Sequence, residues 1–188
     1  MTPRGIRNNN PGNIRRSKDK WQGLARVQAD QQFFTFENPI YGIRAIARLL
    51  IKYQDDYSLA TITEFIGRWA PSVENDTQSY IRSVVKRTGF NANRQLDVHQ
   101  YEHLKPLVIA IIWHENGQQP YTDQQIDKAL VLAGVETKPK PLAKTPTIKG
   151  AQVTAGAGVV AAASGVIAEA APAIPVLSAL SQMVKDNA

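Results

Sequence analysis

Residues 107–117 read LVIAIIWHENG, and the acid in this string, Glu115, has the setting that most invites chemistry. Seven apolar residues in a row precede His114 and Glu115, while Asn116 and Gly117 supply a helix stop. A helix that is apolar on most sides is buried, so its last-turn carboxylate is expected at the floor of a cleft. There desolvation raises the pKa of an acid, and the negative end of the helix dipole pushes the same way. A carboxylic acid that keeps its proton near neutral pH can protonate a leaving oxygen and afterwards act as a base. The plainer alternative is an exposed last-turn acid with no chemical role.

Two more side chains carry candidate chemistry. Glu74, in WAPSVENDTQSY, is either a second catalytic carboxylate or an acid favoured by the dipole of the helix that follows, with Asn75 or Asp76 as cap. Tyr80 falls in the first turn of that helix, where its hydroxyl faces a cleft or its ring simply packs. The absence of cysteine removes disulfides, thiolate zinc sites and thiol nucleophiles. His99 and His103 are four apart but lack an acidic partner, so neither a metal nor a cofactor is expected. The glycine-rich GAGVVAAASG lacks the lysine of a phosphate-binding loop, and no Ser-His-Asp motif is present.

The elements that must position these residues are mostly helical. NNNPGNIRRS (8–17) is turn chemistry throughout. WQGLARVQA (21–29) and FFTF (33–36) read as two short strands of a hairpin or small sheet. From Asn38 and Pro39 the apolar period changes to that of a helix, with Ile43, Ile46, Leu49, Leu50 and Tyr53 on one face. Capping boxes at TITE (61–64), DVHQ (97–100) and TDQQ (122–125) predict three more helix starts, the second of which carries Glu115 with a kink expected at Pro106. Residues 75–89 predict a further helix with Ile81, Val84 and Val85 inward. The fold class is therefore mainly α with a small β hairpin or sheet.

Composition breaks at residue 137. Residues 1–136 have room for one folded domain. TKPKPLAKTPTIK within 137–149 is a Pro/Lys spacer expected to run extended. Residues 150–188 form an Ala/Gly-rich hydrophobic tail that opens with 19 uncharged residues, read either as a membrane-associated segment or as a soluble oligomerising helix. The net charge of +6 is concentrated at the start, where residues 1–26 hold seven Lys/Arg against Asp19 alone. Such a bias suits an anionic wall, membrane or nucleic acid, or else is a solvated basic face. The opening MTPRGIRNNN lacks the apolar core of a signal peptide, so export by that route is not expected.

The strings RGIRNNNPGNIR, WQG, FFTFENPIYGIRA, WAPSVENDTQSYI and IIWHENGQQPY, spread over residues 4–134, resemble a family of phage virion and prophage proteins assigned to cell-wall degradation. They are also similar to parts of the lysozyme-like superfamily of peptidoglycan glycosidases and lytic transglycosylases. There the catalytic glutamate ends a hydrophobic helix, an Asn-Asn segment leads to a Trp-x-Gly, and a tyrosine follows a polar turn. The resemblance implies an α+β lysozyme-like domain that cleaves the β-1,4 MurNAc–GlcNAc bond with Glu115 as general acid/base, assisted by Tyr80; Glu74 keeps the two readings given above. Substrate contacts would come from Asn8, Asn9, Asn10, Asn13, Trp21, Tyr41, Trp69, Asn116 and Gln118. The glutamate helix comes first in that superfamily and last here, which implies a circular permutation. The expected partner is peptidoglycan, not nucleic acid, reached from the virion or the infected cell on the periplasmic side, with residues 150–188 meeting a membrane or other virion proteins. The competing expectation is a non-enzymatic virion or wall-binding module on the same fold.

Overall fold

The computed structural model describes residues 1–71 and 76–137. Glu74, the spacer from residue 138 onward and the 150–188 tail lie outside the described residues. Six helices follow in order: α1 (Arg4–Arg7), α2 (Pro39–Tyr57), α3 (Ile62–Trp69), α4 (Thr77–Thr88), α5 (Tyr101–Asn116) and α6 (Asp123–Leu132). None of the helices among the described residues is long and apolar enough to cross a membrane.

Local chemistry accounts for most helix ends. Asn38 accepts a hydrogen bond from the Ile40 amide with Pro39 in the first turn, and so starts α2. Thr61 with Glu64 and Thr122 with Gln125 form reciprocal capping boxes at α3 and α6, and Asp76 caps α4 through the Ser79 amide. The expected box at Asp97 does not start a helix. Its carboxylate takes the His99 amide and the Gln100 side chain instead, and α5 begins at Tyr101 without a side-chain cap. From there α5 runs through Pro106 as one helix to Asn116.

α5 is the central element. Leu104, Leu107, Val108, Ala110, Ile111 and Ile112 are all essentially inaccessible to solvent, and α1, α2, α4 and α6 pack around them. The apolar face of α2 (Ile43, Ile46, Ala47, Leu50, Ile51) and Phe65 and Ile66 of α3 complete one core. A smaller apolar cluster of Phe34, Phe36 and Ala45, with Ile14, Trp21, Leu24 and Tyr41 against it, sits under the N-terminal loop.

The two expected strands are not present. Residues 24 and 36 and residues 15 and 33 form only isolated antiparallel bridges. A few backbone bonds remain, such as Ala25 N–H to the Thr35 carbonyl and Glu37 N–H to that of Gly23, and side-chain amides supply others. Gln28 pairs with both the N–H and the C=O of Thr35, as a neighbouring strand would, while Asn10 donates to the Phe34 carbonyl and Asn9 to that of Phe36. Gly23, at φ +74°, also turns the 21–29 segment out of an extended path, since that conformation suits glycine. The 33–36 segment is thus held in an extended course by loops, and the regular structure of the described residues is mainly helical with almost no strand.

Candidate active site

The site begins with the asparagine-rich loop. Asn9 (φ 50°) and Asn13 (φ 45°) occupy left-handed backbone, which Asn tolerates better than most residues. Between them Asn10 is fully buried, donating to the Ile14 and Phe34 carbonyls and accepting from the Ile14 amide. All its capacity goes into fixing the loop, and the loop in turn fixes Asn13.

α5 meets this loop at its last turn. Asn116, 8% exposed, donates to the Pro11 carbonyl at 2.7 Å and to the Ile112 carbonyl at 2.8 Å. Gly117, at φ +67°, ends the helix. The contact between loop and helix requires a residue without a side chain at Gly5: a methyl there would stand 2.5 Å from Asn116 Oδ1 and 2.9 Å from Asn13 Oδ1. Both of those amide oxygens are buried without a hydrogen-bond donor. Unpartnered polar atoms of this kind are uncommon in a core and cluster at functional sites.

On this support Glu115 receives three hydrogen bonds from three separate parts of the chain. Asn13 Nδ2 donates to Oε2 at 2.9 Å; Trp69 Nε1, from the end of α3, donates to Oε1 at 3.2 Å; and the Tyr80 hydroxyl, from α4, donates to Oε1 at 2.9 Å. The carboxylate is half-buried and lines a cleft of ≈ 410 Å³. Gly12, Asn13, Ile14, Arg15 and Phe33 form one side of the cleft, Leu49 and Tyr53 of α2 another, and Trp69, Ala70 and Pro71 a third. The apolar residues of α5 serve the core beneath, and the carboxylate itself faces three donors.

Tyr80 is 3% exposed, and its ring stacks on the His114 imidazole with centroids 3.5 Å apart and planes within 14°. Burial, then the charge and hydrogen bond of Glu115, push the Tyr80 phenol well above its ordinary value, so it stays a proton donor. Burial lowers the pKa of His114, the neighbouring Arg87 adds to this, and Glu115 opposes it.

The expected site residues divide into two groups. Glu115, Tyr80, Trp69 and Asn13 converge, with Asn116 bracing them from behind. Asn8, Asn9 and Asn10 do not present their amides to the cleft: Asn8 donates to Asp30, Asn9 to the Phe36 and Glu37 carbonyls, and Asn10 to the loop. Their role is to shape the loop. Trp21 and Tyr41 belong to the smaller apolar cluster and do not line the cleft, nor does exposed Gln118. The cleft wall formed by Phe33, Leu49 and Tyr53 and the stacking partner His114 had no signal of their own, because each reads as ordinary packing until the fold brings it to Glu115. His99 bonds to Asp55 and His103 to the Asp97 main chain, and no metal-holding cluster of three such groups occurs among the described residues.

No protein-family model matches the chain. Over 129 residues it is 44% identical to Protein P5 of Pseudoalteromonas phage PM2, an alignment that takes in 66% of this chain and 78% of that protein. The chain belongs to the Protein P5 family. It is therefore a member of a family of phage proteins, which agrees with the expectation of virion association. The name Protein P5 states no activity, so the chemistry of this P5-family site has to be argued from its geometry.

Proposed function

We propose that this P5-family protein cleaves the glycan strands of peptidoglycan at the β-1,4 MurNAc–GlcNAc bond, on a lysozyme-like, circularly permuted domain. The observation that carries the reading is the Glu115 carboxylate, held at the edge of a cleft by Tyr80, Trp69 and Asn13. A carboxylate fixed from three directions cannot swing away from a bound substrate, and such positioning is a large part of acid–base catalysis. The permuted reading also requires the first and last parts of the domain to meet. The Asn13–Glu115 and Asn116–Pro11 bonds join residues 102 and 105 apart in sequence.

On this reading the two oxygens do different work. An ionised carboxylate offers about four acceptor positions, two on each oxygen. Tyr80 and Trp69 occupy both positions on Oε1, and Asn13 takes one on Oε2. The remaining Oε2 position would carry the proton to the glycosidic oxygen as the C1–O bond breaks. Glu115 would then remove a proton from the sugar's own 6-hydroxyl, giving an anhydro end, or from a water, giving a reducing end. Glu115 is the carboxylate that lines the cleft among the described residues. Phe33, Tyr53 and Trp69 would give the sugar aromatic surface to pack on.

Glu115→Gln keeps the shape of the side chain and removes the acid. The expected result is loss of turbidity clearance on purified peptidoglycan with wall binding retained. Undiminished clearance by this variant would take the acid role away from Glu115.

A further inference from the structure

A second concavity lies between α4 and α5. It measures ≈ 370 Å³ and is lined by Ser83, Lys86, Arg87, Ile109 and Trp113. Trp113 precedes Glu115 by two residues, about 200° around the helix, so this groove opens on the other side of α5 from the cleft. The two are nevertheless linked. His114 stands between them in the chain, stacks on Tyr80 and feels the Arg87 charge, and Tyr80 bonds to Glu115.

The chemistry of the groove is cationic and aromatic. α4 carries Arg82, Lys86 and Arg87 and no acidic residue. The Arg87 guanidinium lies 3.7 Å from the Trp113 ring centroid, and Trp113 is 36% exposed. Neither Lys86 nor Arg87 pairs with a carboxylate among the described residues. A guanidinium held against an indole by cation–π attraction still has N–H groups to offer a planar, bidentate anion. Lys86 adds a second charge, Ser83 a hydroxyl, and Ile109 with Trp113 an apolar surface for an aliphatic chain. That combination fits a carboxylate carried on a short peptide. A nucleic-acid backbone would need a longer run of phosphate contacts. A lipid surface would need apolar groups projecting from a flat face, whereas here the indole lines a concavity under its arginine.

We propose that this groove is an acidic-peptide subsite, binding carboxylates of the stem peptides that peptidoglycan strands carry. The inference rests on the glycan-cleavage reading above, and it makes peptide-substituted strands the preferred substrate over bare ones.

The test uses the full chain carrying Glu115→Gln, so that bound strands are not consumed. Its affinity is measured for peptide-bearing glycan strands and for the same strands stripped of peptide by an amidase. Adding Lys86→Ala and Arg87→Ala should weaken binding to peptide-bearing strands by roughly tenfold, the scale of losing charge-assisted hydrogen bonds, and leave bare strands unaffected. Arg87→Lys alone should recover part of the loss, since it restores charge without the planar fork. Raising salt should weaken the peptide-bearing complex more than the bare one, whose lactyl carboxylates remain after amidase treatment. Both cations are exposed, so melting should not change; should the alanine pair lower it, Lys86→Gln with Arg87→Gln repeats the measurement. Equal affinity for both strands, or an equal loss on both, overturns the subsite. So does a charge-dependent affinity found for DNA or phosphatidylglycerol vesicles in place of the peptide. Cleavage by the chain with Glu115 intact separates the two readings. If neither strand is cut while the binding difference stands, the Glu115 reading fails and the groove survives. If both strands are cut and the alanine pair slows both equally, the groove fails alone.

Discussion

Replacing Tyr80 by Phe removes one atom from the centre of the site and little else. The ring can still stack on His114 and stays within the core, where the residue is 3% exposed. What is lost is the 2.9 Å bond to Glu115 Oε1, which leaves Trp69 as the sole donor to that oxygen. A hydrogen bond to a charged group contributes about 1.5–3 kcal/mol. Glu115 is half-buried, so the lower end of that range, about 1.5 kcal/mol, is the reasonable expectation. A urea dependence of roughly 2 kcal/mol per molar, ordinary for a domain of this size, turns this into a midpoint lowered by about 0.7 M. The interaction itself is isolated by a double-mutant cycle with Glu115→Ala, which removes the acceptor, so that Tyr80→Phe should cost clearly less in that background. Unfolding of the four proteins by urea, followed by circular dichroism, supplies the numbers. Strict additivity, with coupling below about 0.3 kcal/mol, would mean that Tyr80 does not hold Glu115, and the acid would lose one of its three supports.

Other consequences follow from the same structure. Gly5→Ala would drive a methyl group to 2.5 Å from Asn116 Oδ1, so the loop or the end of α5 must shift; a destabilisation of about 1–3 kcal/mol is expected by thermal denaturation, with glycan cleavage falling further than stability alone explains. Burial raises the pKa of Tyr80 and pushes Tyr121 up to about 12, both from an ordinary 10.0. Their contribution to stability is therefore fully present below pH 10 and is lost as pH rises toward the folded values, so Tyr80→Phe and Tyr121→Phe should each flatten the alkaline limb of a stability–pH curve. The Arg4 guanidinium and the Asn8 amide hold Asp30 well below the usual carboxylate range. Its stabilising effect is present above about pH 4 and fades as pH falls toward the folded value, and carboxyl-resonance NMR of wild type and Arg4→Ala should show Asp30 titrating higher in the variant.

Features that depend on neighbouring residues could be read from the sequence, and those set by distant partners could not. The Thr61–Glu64 and Thr122–Gln125 boxes and the Asn38-Pro39 start act within four residues, and the helices form where that chemistry stands. Asp97 presents the same spacing but spends its carboxylate on His99 and Gln100, a local competition that a cap motif cannot arbitrate. α1 escaped notice because four residues without a side-chain cap leave no periodicity. The strands failed for a different reason: the alternating aromatics are real, but the asparagines of the N-terminal loop and Gln28 satisfy the backbone that a second strand would have paired. At the site, the pattern LVIAIIWHENG singled out Glu115, while its donors lie 35, 46 and 102 residues away in the chain. Asn8, Asn9 and Asn10 drew attention as substrate ligands, and the fold uses them as scaffolding.

Mass spectrometry of sacculi digested by the wild-type chain and by its Glu115→Gln variant bears on the central claim. The account predicts soluble disaccharide-peptide fragments ending in anhydro-muramic or reducing muramic acid from the wild type, and none above background from the variant. Fragments released equally by both proteins, or cut at peptide rather than glycosidic bonds, would contradict it.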